Sequence, residues 1–152
     1  MKILLAVDGS AYSDAAVNSV AHRPWPVGTT IKVFSSIEPV FYPTTETWVM
    51  PESYYQEVEK AGRESAKEAV NKAAESLHKA QSSSVEIIPE IKEGHAKDAI
   101  LDEAEKWGAD LIVVGSHGYR GFKRFMLGSV SHAVATQAKC SVEIVRTPEA
   151  HK

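Results

Sequence analysis

Gly115-Ser116-His117-Gly118, followed after nine further residues by Gly128-Ser129-Val130-Ser131, is the stretch whose residue types and spacing best suit ligand chemistry. Glycine takes positive φ, or admits a ligand close to the backbone, where a Cβ would interfere. Ser129 reads as the N-cap of a helix, and the free N–H groups and positive dipole end of a helix start favour an anion. Arg120, Lys123 and Arg124 lie between the glycines and add local positive charge to a chain of net charge −3. The chemistry implied is the cradling of a polyphosphate. It is not a P-loop, which needs G-x-x-x-x-G-K-[ST], nor the dinucleotide turn G-x-G-x-x-G. Taken singly, each feature has a plainer reading: glycines turn the chain, a serine caps a helix, and a basic loop is solvated.

An apolar run, Asp110-Leu111-Ile112-Val113-Val114, precedes the glycines and predicts a strand buried on both faces. The loop therefore leaves a strand and enters a helix from about Ser129 to Ala138, where open α/β sheets bind phosphates. Upstream, residues 2 to 8 predict a strand. Ser10 or Ser13 can cap a helix whose Ala16, Val17, Val20 and Ala21 share a face, and Pro24, Pro26 and Gly28 end it. Strands are predicted over Ile31 to Ile37 and about Val85 to Ile91, separated by a long helix marked by Ala66, Ala69, Val70, Ala73, Ala74 and Leu77. After Gly94, a helix carrying Ala96, Ile100, Ala104 and Trp107 on one side ends at Gly108, and a last strand covers Val142 to Val145. Alternating units of this kind indicate an α/β fold with a parallel sheet and helices on both faces. Strand order is not given by period or composition.

The 152 residues, 43% hydrophobic and 24% charged, suit a single domain, 1–152. The acidic balance argues against a general nucleic-acid binder. The N-terminal apolar run is too short for a signal peptide, and none approaches the roughly 18 residues of a membrane span. The expectation is a cytoplasmic protein. Cys140 is the only cysteine, so no intrachain disulfide can form, and it lacks a nucleophile signature.

Other candidates carry alternatives. Asp8, at a strand end, could read a ribose or base, help hold a metal, or bond its own turn. His117 could meet a phosphate or act as acid or base near neutral pH, or simply be tolerated in a glycine loop. The remaining histidines lack zinc-ligand spacing, so no dedicated metal site is expected; Mg²⁺ would arrive with the nucleotide. Phe41, Tyr42, Trp48, Tyr54 and Tyr55 make Val40 to Tyr55 an aromatic segment, either a lid or partner surface or a cover for the long helix.

The pattern G-x-x-G, nine residues, G-[ST] resembles that of the nucleotide-binding universal stress proteins. The likeness extends to Ile3-Leu4-Leu5-Ala6-Val7-Asp8-Gly9-Ser10, to Gly94 and to Val142-Glu143-Ile144-Val145, so it covers the chain. It implies an open five-stranded parallel sheet of order 3-2-1-4-5, with strands one and four meeting at a topological switch point. It also implies ATP, with or without Mg²⁺, as the ligand. The nucleotide site would comprise Ala6, Val7, Asp8, Ser36, Val114, Gly115, His117, Gly118, Gly128, Ser129, Val130 and Ser131. Asp8 and Ala6 match the adenine and ribose side. Ser36 stands where relatives often have Val, which makes that wall more polar. The last strand would be an edge, and homodimerisation through Val142 to Val145 is expected. The function implied is a nucleotide sensor or binding module of the stress response. The alternatives are a slow ATP hydrolase or adenylating enzyme, and a dimeric interaction module with a vestigial pocket.

Overall fold

A computed structural model describes residues 1–42, 50–81, 84–118 and 126–147. The elements run β1 (Lys2–Ala6), α1 (Ala11–Ala21), β2 (Thr30–Ile37), α2 (Glu52–Ala80), β3 (Glu86–Glu93), α3 (Ala96–Trp107), β4 (Leu111–Gly115), α4 (Ser129–Gln137) and β5 (Ser141–Val145). All four strand pairings are parallel, and the order is β3-β2-β1-β4-β5. The fold class and strand order are as the resemblance implied.

The sheet sorts its side chains by the two-residue strand period. Ile3, Leu5, Ile31, Val33, Leu111 and Val113 pack with Val17 and Val20 of α1 and Val70 and Leu77 of α2. Leu4, Phe34, Ile112 and Val114 pack on the other face with Ile100 and Ala104 of α3 and Val134 of α4. Central strands thus read as unbroken apolar runs because both faces are covered. Burying each such side chain contributes about 1.5–3 kcal/mol before chain entropy is subtracted.

Local signals hold at several ends. Ser10 caps α1, its Oγ accepting from the Ser13 N–H at 3.2 Å. The exposed carbonyls at the other end of α1 are met from a distance: Gln81 Nε2 donates to Ala21 O at 2.6 Å and Trp25 Nε1 to Val20 O at 2.9 Å. Gly108 closes α3 with φ 71°, the left-handed geometry that favours glycine. β1 ends at Ala6 rather than residue 8, although the Val7 N–H still reaches Phe34 O at 2.8 Å.

The long helix begins at Glu52, so Tyr54 and Tyr55 belong to it. Tyr42 packs on Tyr55 with ring centroids 4.6 Å apart and donates its hydroxyl to Glu59 at 2.8 Å. Part of the aromatic segment therefore does line α2. Pro43 and Trp48 lie outside the described residues. No helix of the described residues is long and apolar enough to cross a membrane.

Candidate functional site

β1 and β4 are neighbours, and the helices that follow them, α1 and α4, pack on opposite faces of the sheet. The chain therefore leaves the two strand ends in opposite directions and a crevice opens between them. A cavity of about 280 Å³ lies there. Its walls include all twelve residues expected of a nucleotide site: Ala6, Val7 and Asp8 at the end of β1, Ser36 on β2, Val114, Gly115, His117 and Gly118 at the end of β4, and Gly128 to Ser131 at the start of α4. Ser13, Phe34, Ser35, Ala96 and Ile100 line it as well. Ala96 and Ile100 are four residues apart on one face of α3, a spacing visible in the sequence but readable there only as core. Arg120, Lys123 and Arg124 lie outside the described residues.

The loop glycines serve close approach rather than positive φ. None of Gly115, Gly118 and Gly128 has positive φ. At Gly115 a Cβ would stand 2.6 Å from the carbonyl carbon and oxygen of Tyr12 and 3.0 Å from Ser13 N, so this glycine lets β4 abut the first turn of α1. At Gly118 a Cβ would lie 2.8 Å from Asp8 Oδ2. At Gly128 the nearest atom is His117 Cα at 3.2 Å, so the two ends of the glycine loop touch each other.

Ser129 is not the N-cap of α4. Gly128 occupies that position with extended backbone, φ −63° and ψ 160°, and supplies no side-chain acceptor. Ser129 is the first helical residue. The Gly128 N–H donates to Ser116 O at 2.8 Å, and the buried Ser131 hydroxyl donates to Ser116 O at 2.8 Å and Gly128 O at 3.0 Å. Ser131 thereby braces the strand end against the helix start, with its proton committed to backbone.

Three helices begin at this rim, and their first donors are treated differently. Ser10 supplies an acceptor to α1, and Glu38 Oε1 takes the Ala96 N–H of α3 at 2.9 Å. At α4 the N–H groups of Ser129, Val130 and Ser131 precede any intrahelical acceptor and receive none from a cap side chain. This is where positive potential collects and an anion gains most.

Asp8 is exposed. Its Oδ1 accepts from the Ser10 N–H at 2.9 Å, the turn reading of this residue, while Oδ2 faces Gly118. A carboxylate in this position accepts hydrogen bonds from hydroxyls. His117 Nδ1 lies 3.1 Å from Ser116 Oγ, and its ring rests 5.0 Å from the Tyr12 ring. Among the described residues no three His, Cys, Asp or Glu side chains gather as a metal cluster.

The β2 end supplies a polar edge. Phe34 O faces β1, where it accepts from Val7, and Ile37 O faces β3, where it accepts from Gly94 at 3.0 Å. Ser36, two residues beyond Phe34, directs its N–H and C=O toward the β1 side as well. There β1 has already turned away at Asp8, so this donor and acceptor open onto the cavity beside the apolar Ala6, Phe34, Ile100 and Val114.

The family model "Universal stress protein family" matches residues 1–146. Universal stress protein YxiE of Bacillus subtilis is 32% identical over 148 residues, covering 95% of this chain and 98% of that protein. Universal stress protein A homolog 2 of Coxiella burnetii is 43% identical over 83 residues, 55% of this chain and 53% of that one, so the match spans about half the length of that relative. Among solved structures, universal stress protein UspA of Lactobacillus plantarum superposes with a TM-score of 0.76 at 24% identity, covering 96% and 97% of the two chains. A family protein of Arabidopsis thaliana with AMP bound gives 0.69 at 16%, covering 98% and 93%. A universal stress protein in complex with cAMP gives 0.66 at 26%, covering 97% and 98%. With a family model spanning the chain almost end to end and a relative aligned along its whole length, the chain belongs to the universal stress protein family.

Proposed function

We propose that the chain binds an adenine nucleotide in the cavity between the ends of β1 and β4 and serves as a nucleotide-responsive module in stress physiology. The observation that carries this reading is the uncapped start of α4, among the described residues the one helix at the rim whose first N–H groups have no acceptor supplied by a side chain. Phosphates would lie against Gly128, Ser129, Val130 and Ser131, with Gly115, His117 and Gly118 closing over them. The base would lie against the apolar wall of Ala6, Ile100 and Val114, its edge meeting the N–H and C=O of Ser36, and the ribose hydroxyls would reach Asp8. The AMP and cAMP carried by the two structural relatives support an adenine ligand. ATP is the form that would use the most of the cradle, and Mg²⁺ would come with its phosphates.

The working unit is the whole chain, 1–152, in the cytoplasm, as a homodimer through β5. The two sheet edges differ in a way that supports this. β3 is protected by Pro89 and by Glu86, Glu90, Lys92 and Glu93, whereas the one charged side chain of β5, Glu143, is tied back to Arg23 at 2.6 Å. A sedimentation mass equal to one chain at all concentrations would remove the dimer.

The deciding experiment is nucleotide content of the freshly purified protein, followed by calorimetric titration with Mg-ATP. Co-purified or titrating nucleotide, weakened by Gly118→Val, is expected. Failure of ATP, ADP, AMP and cAMP alike to bind would overturn the proposal.

A further inference from the structure

Lys32 and Glu103 are buried charges that the proposed nucleotide contacts leave unused. Lys32 interrupts the apolar run of β2 and is 6% exposed; Glu103 projects from α3 and is 4% exposed. The Lys32 ammonium lies 2.5 Å from Glu103 Oε1, 3.2 Å from Glu90 Oε2 and 4.6 Å from the centre of the Trp107 ring. Lys92 of β3 bonds the second Glu103 oxygen and lies 3.4 Å from Glu90. Every charge in the group has a partner of opposite sign. Relative to apolar residues of the same volume, such a group contributes little net stability, so strength alone does not account for it.

Its position does. Ala96, Ile100, Glu103 and Trp107 recur at helical spacing along one side of α3, and the first two line the cavity. On β2, Phe34 lines the cavity from the same face as Lys32, two residues away. The ion pair thus stands immediately behind Phe34 and Ile100, buried members of one packed cluster beneath the apolar part of the site. Apolar contacts are non-directional and let a helix slide, whereas charge-assisted hydrogen bonds fix distance and angle.

We infer that Lys32 and Glu103 are positioning residues for the base slot: their pairing sets the rotation and height of α3 over β2, and so how far Ala96 and Ile100 stand into the cavity. The inference rests on the nucleotide reading above and concerns how the slot obtains its shape. Glu38, which takes the Ala96 N–H at 2.9 Å and lies 2.7 Å from His95 Nδ1, holds the cavity end of the same helix. Glu103 holds its middle. The slot wall is pinned by charge on both sides of Ile100.

The test separates base from phosphate. Adenosine and inorganic tripolyphosphate are titrated calorimetrically into wild type, Glu103→Gln and the double variant Lys32→Met with Glu103→Leu, and each protein is melted. The double variant is expected to melt at or above the wild-type temperature, yet to bind adenosine at least about tenfold more weakly, because misplacement on the scale of 1 Å can cost about that much or more. Tripolyphosphate affinity, which reads α4 and the end of β4, is expected to stay within about threefold, since both are untouched. Glu103→Gln keeps the side-chain size and, though less stable than wild type, carries the same expectation for the two ligands should the double variant not fold. Wild-type adenosine affinity in a stably folded double variant would overturn the positioning role, as would equal loss of both probes. Wild type that binds neither probe, nor any adenine nucleotide, would instead overturn the nucleotide reading itself.

Discussion

Replacing Gly115 by alanine tests the division of labour among the loop glycines. The new methyl group would lie 2.6 Å from two backbone atoms of Tyr12, where carbon contacts are ordinarily comfortable only at about 3.5–4.0 Å. Those atoms belong to the first turn of α1, held by the Asp14 N–H to Ser10 O bond at 2.9 Å and by the Ser10 cap, so they cannot swing aside. Relief requires β4 and α1 to part by roughly 1 Å, and overpacking of this kind costs about 1–3 kcal/mol, here at the upper end because the obstacle is backbone. For a protein of this length about 3 kcal/mol corresponds to a fall in Tm of roughly 6–12 °C. Among the described residues, Gly118→Ala meets only the tip of Asp8, an exposed carboxylate that can rotate, so its expected cost is within about 1 kcal/mol. Yet it displaces the group proposed to read the ribose. The assay is thermal and urea unfolding with Mg-ATP calorimetry on both variants, checking that the urea m-value is unchanged. Gly115→Ala should show the larger loss of stability and the smaller loss of affinity per folded molecule, and Gly118→Ala should do the reverse. A Gly115→Ala melting point within about 2 °C of wild type, or a Gly118→Ala variant that is the less stable of the two, would overturn this division between the glycines.

Burial acts to raise the pKa of Glu103, but hydrogen bonds and attraction from Lys32 and Lys92 outweigh it and hold the carboxyl below its ordinary value of 4.5. The folded value is below the unfolded one, so the contribution is complete above about pH 4.5 and lost as pH falls through the folded value. Glu103→Gln should therefore cost about 3 kcal/mol at neutral pH, the difference from wild type narrowing in acid, as urea unfolding between pH 7 and pH 3 would measure. Ser131→Ala removes a brace from Ser116 O, which still accepts from Gly128; a loss of about 1 kcal/mol is expected, with ATP affinity falling less than in Gly118→Ala. Burial pushes the Cys140 thiol up, so alkylation by iodoacetamide at neutral pH should be slower than for a free cysteine model and should quicken in denaturant.

Where local chemistry decides structure, the chain is readable. Ser10 caps α1 and Gly108 closes α3 because each needs only its own few residues. The apolar faces of α1 and of α2 from Ala66 onward lie on the core as their spacing predicts. The twelve candidate residues line one cavity because two distant glycine-bearing turns, after β1 and before α4, sit at neighbouring strand ends; the resemblance, not the periodicity, implied that adjacency. Other features depend on partners far along the chain. Lys32 looks like a solvated residue in an alternating strand until Glu103, 71 positions later, is folded onto it. Gly115 looks like a turn glycine until Tyr12 lies against it. Ser129 looks like a cap because serine commonly is one, but Gly128 takes that role where its backbone meets His117 and Ser116.

The unequal burial of α2 has a kinetic consequence. The helix has 29 residues, a rod of about 44 Å, yet from Glu52 to Ser65 only Tyr55 is buried, while Ala66, Ala69, Val70, Ala73, Ala74 and Leu77 seat the remainder on the sheet. An isolated stretch of about 14 residues is marginal as a helix in water. Its first four turns should therefore open and close many times for each global unfolding event, and amide deuterium uptake should fall in a gradient from Glu52 toward Leu77. A protease that cuts exposed helix only when it opens would clip this rod near its free end and leave the sheet, and the cavity on its far side, whole.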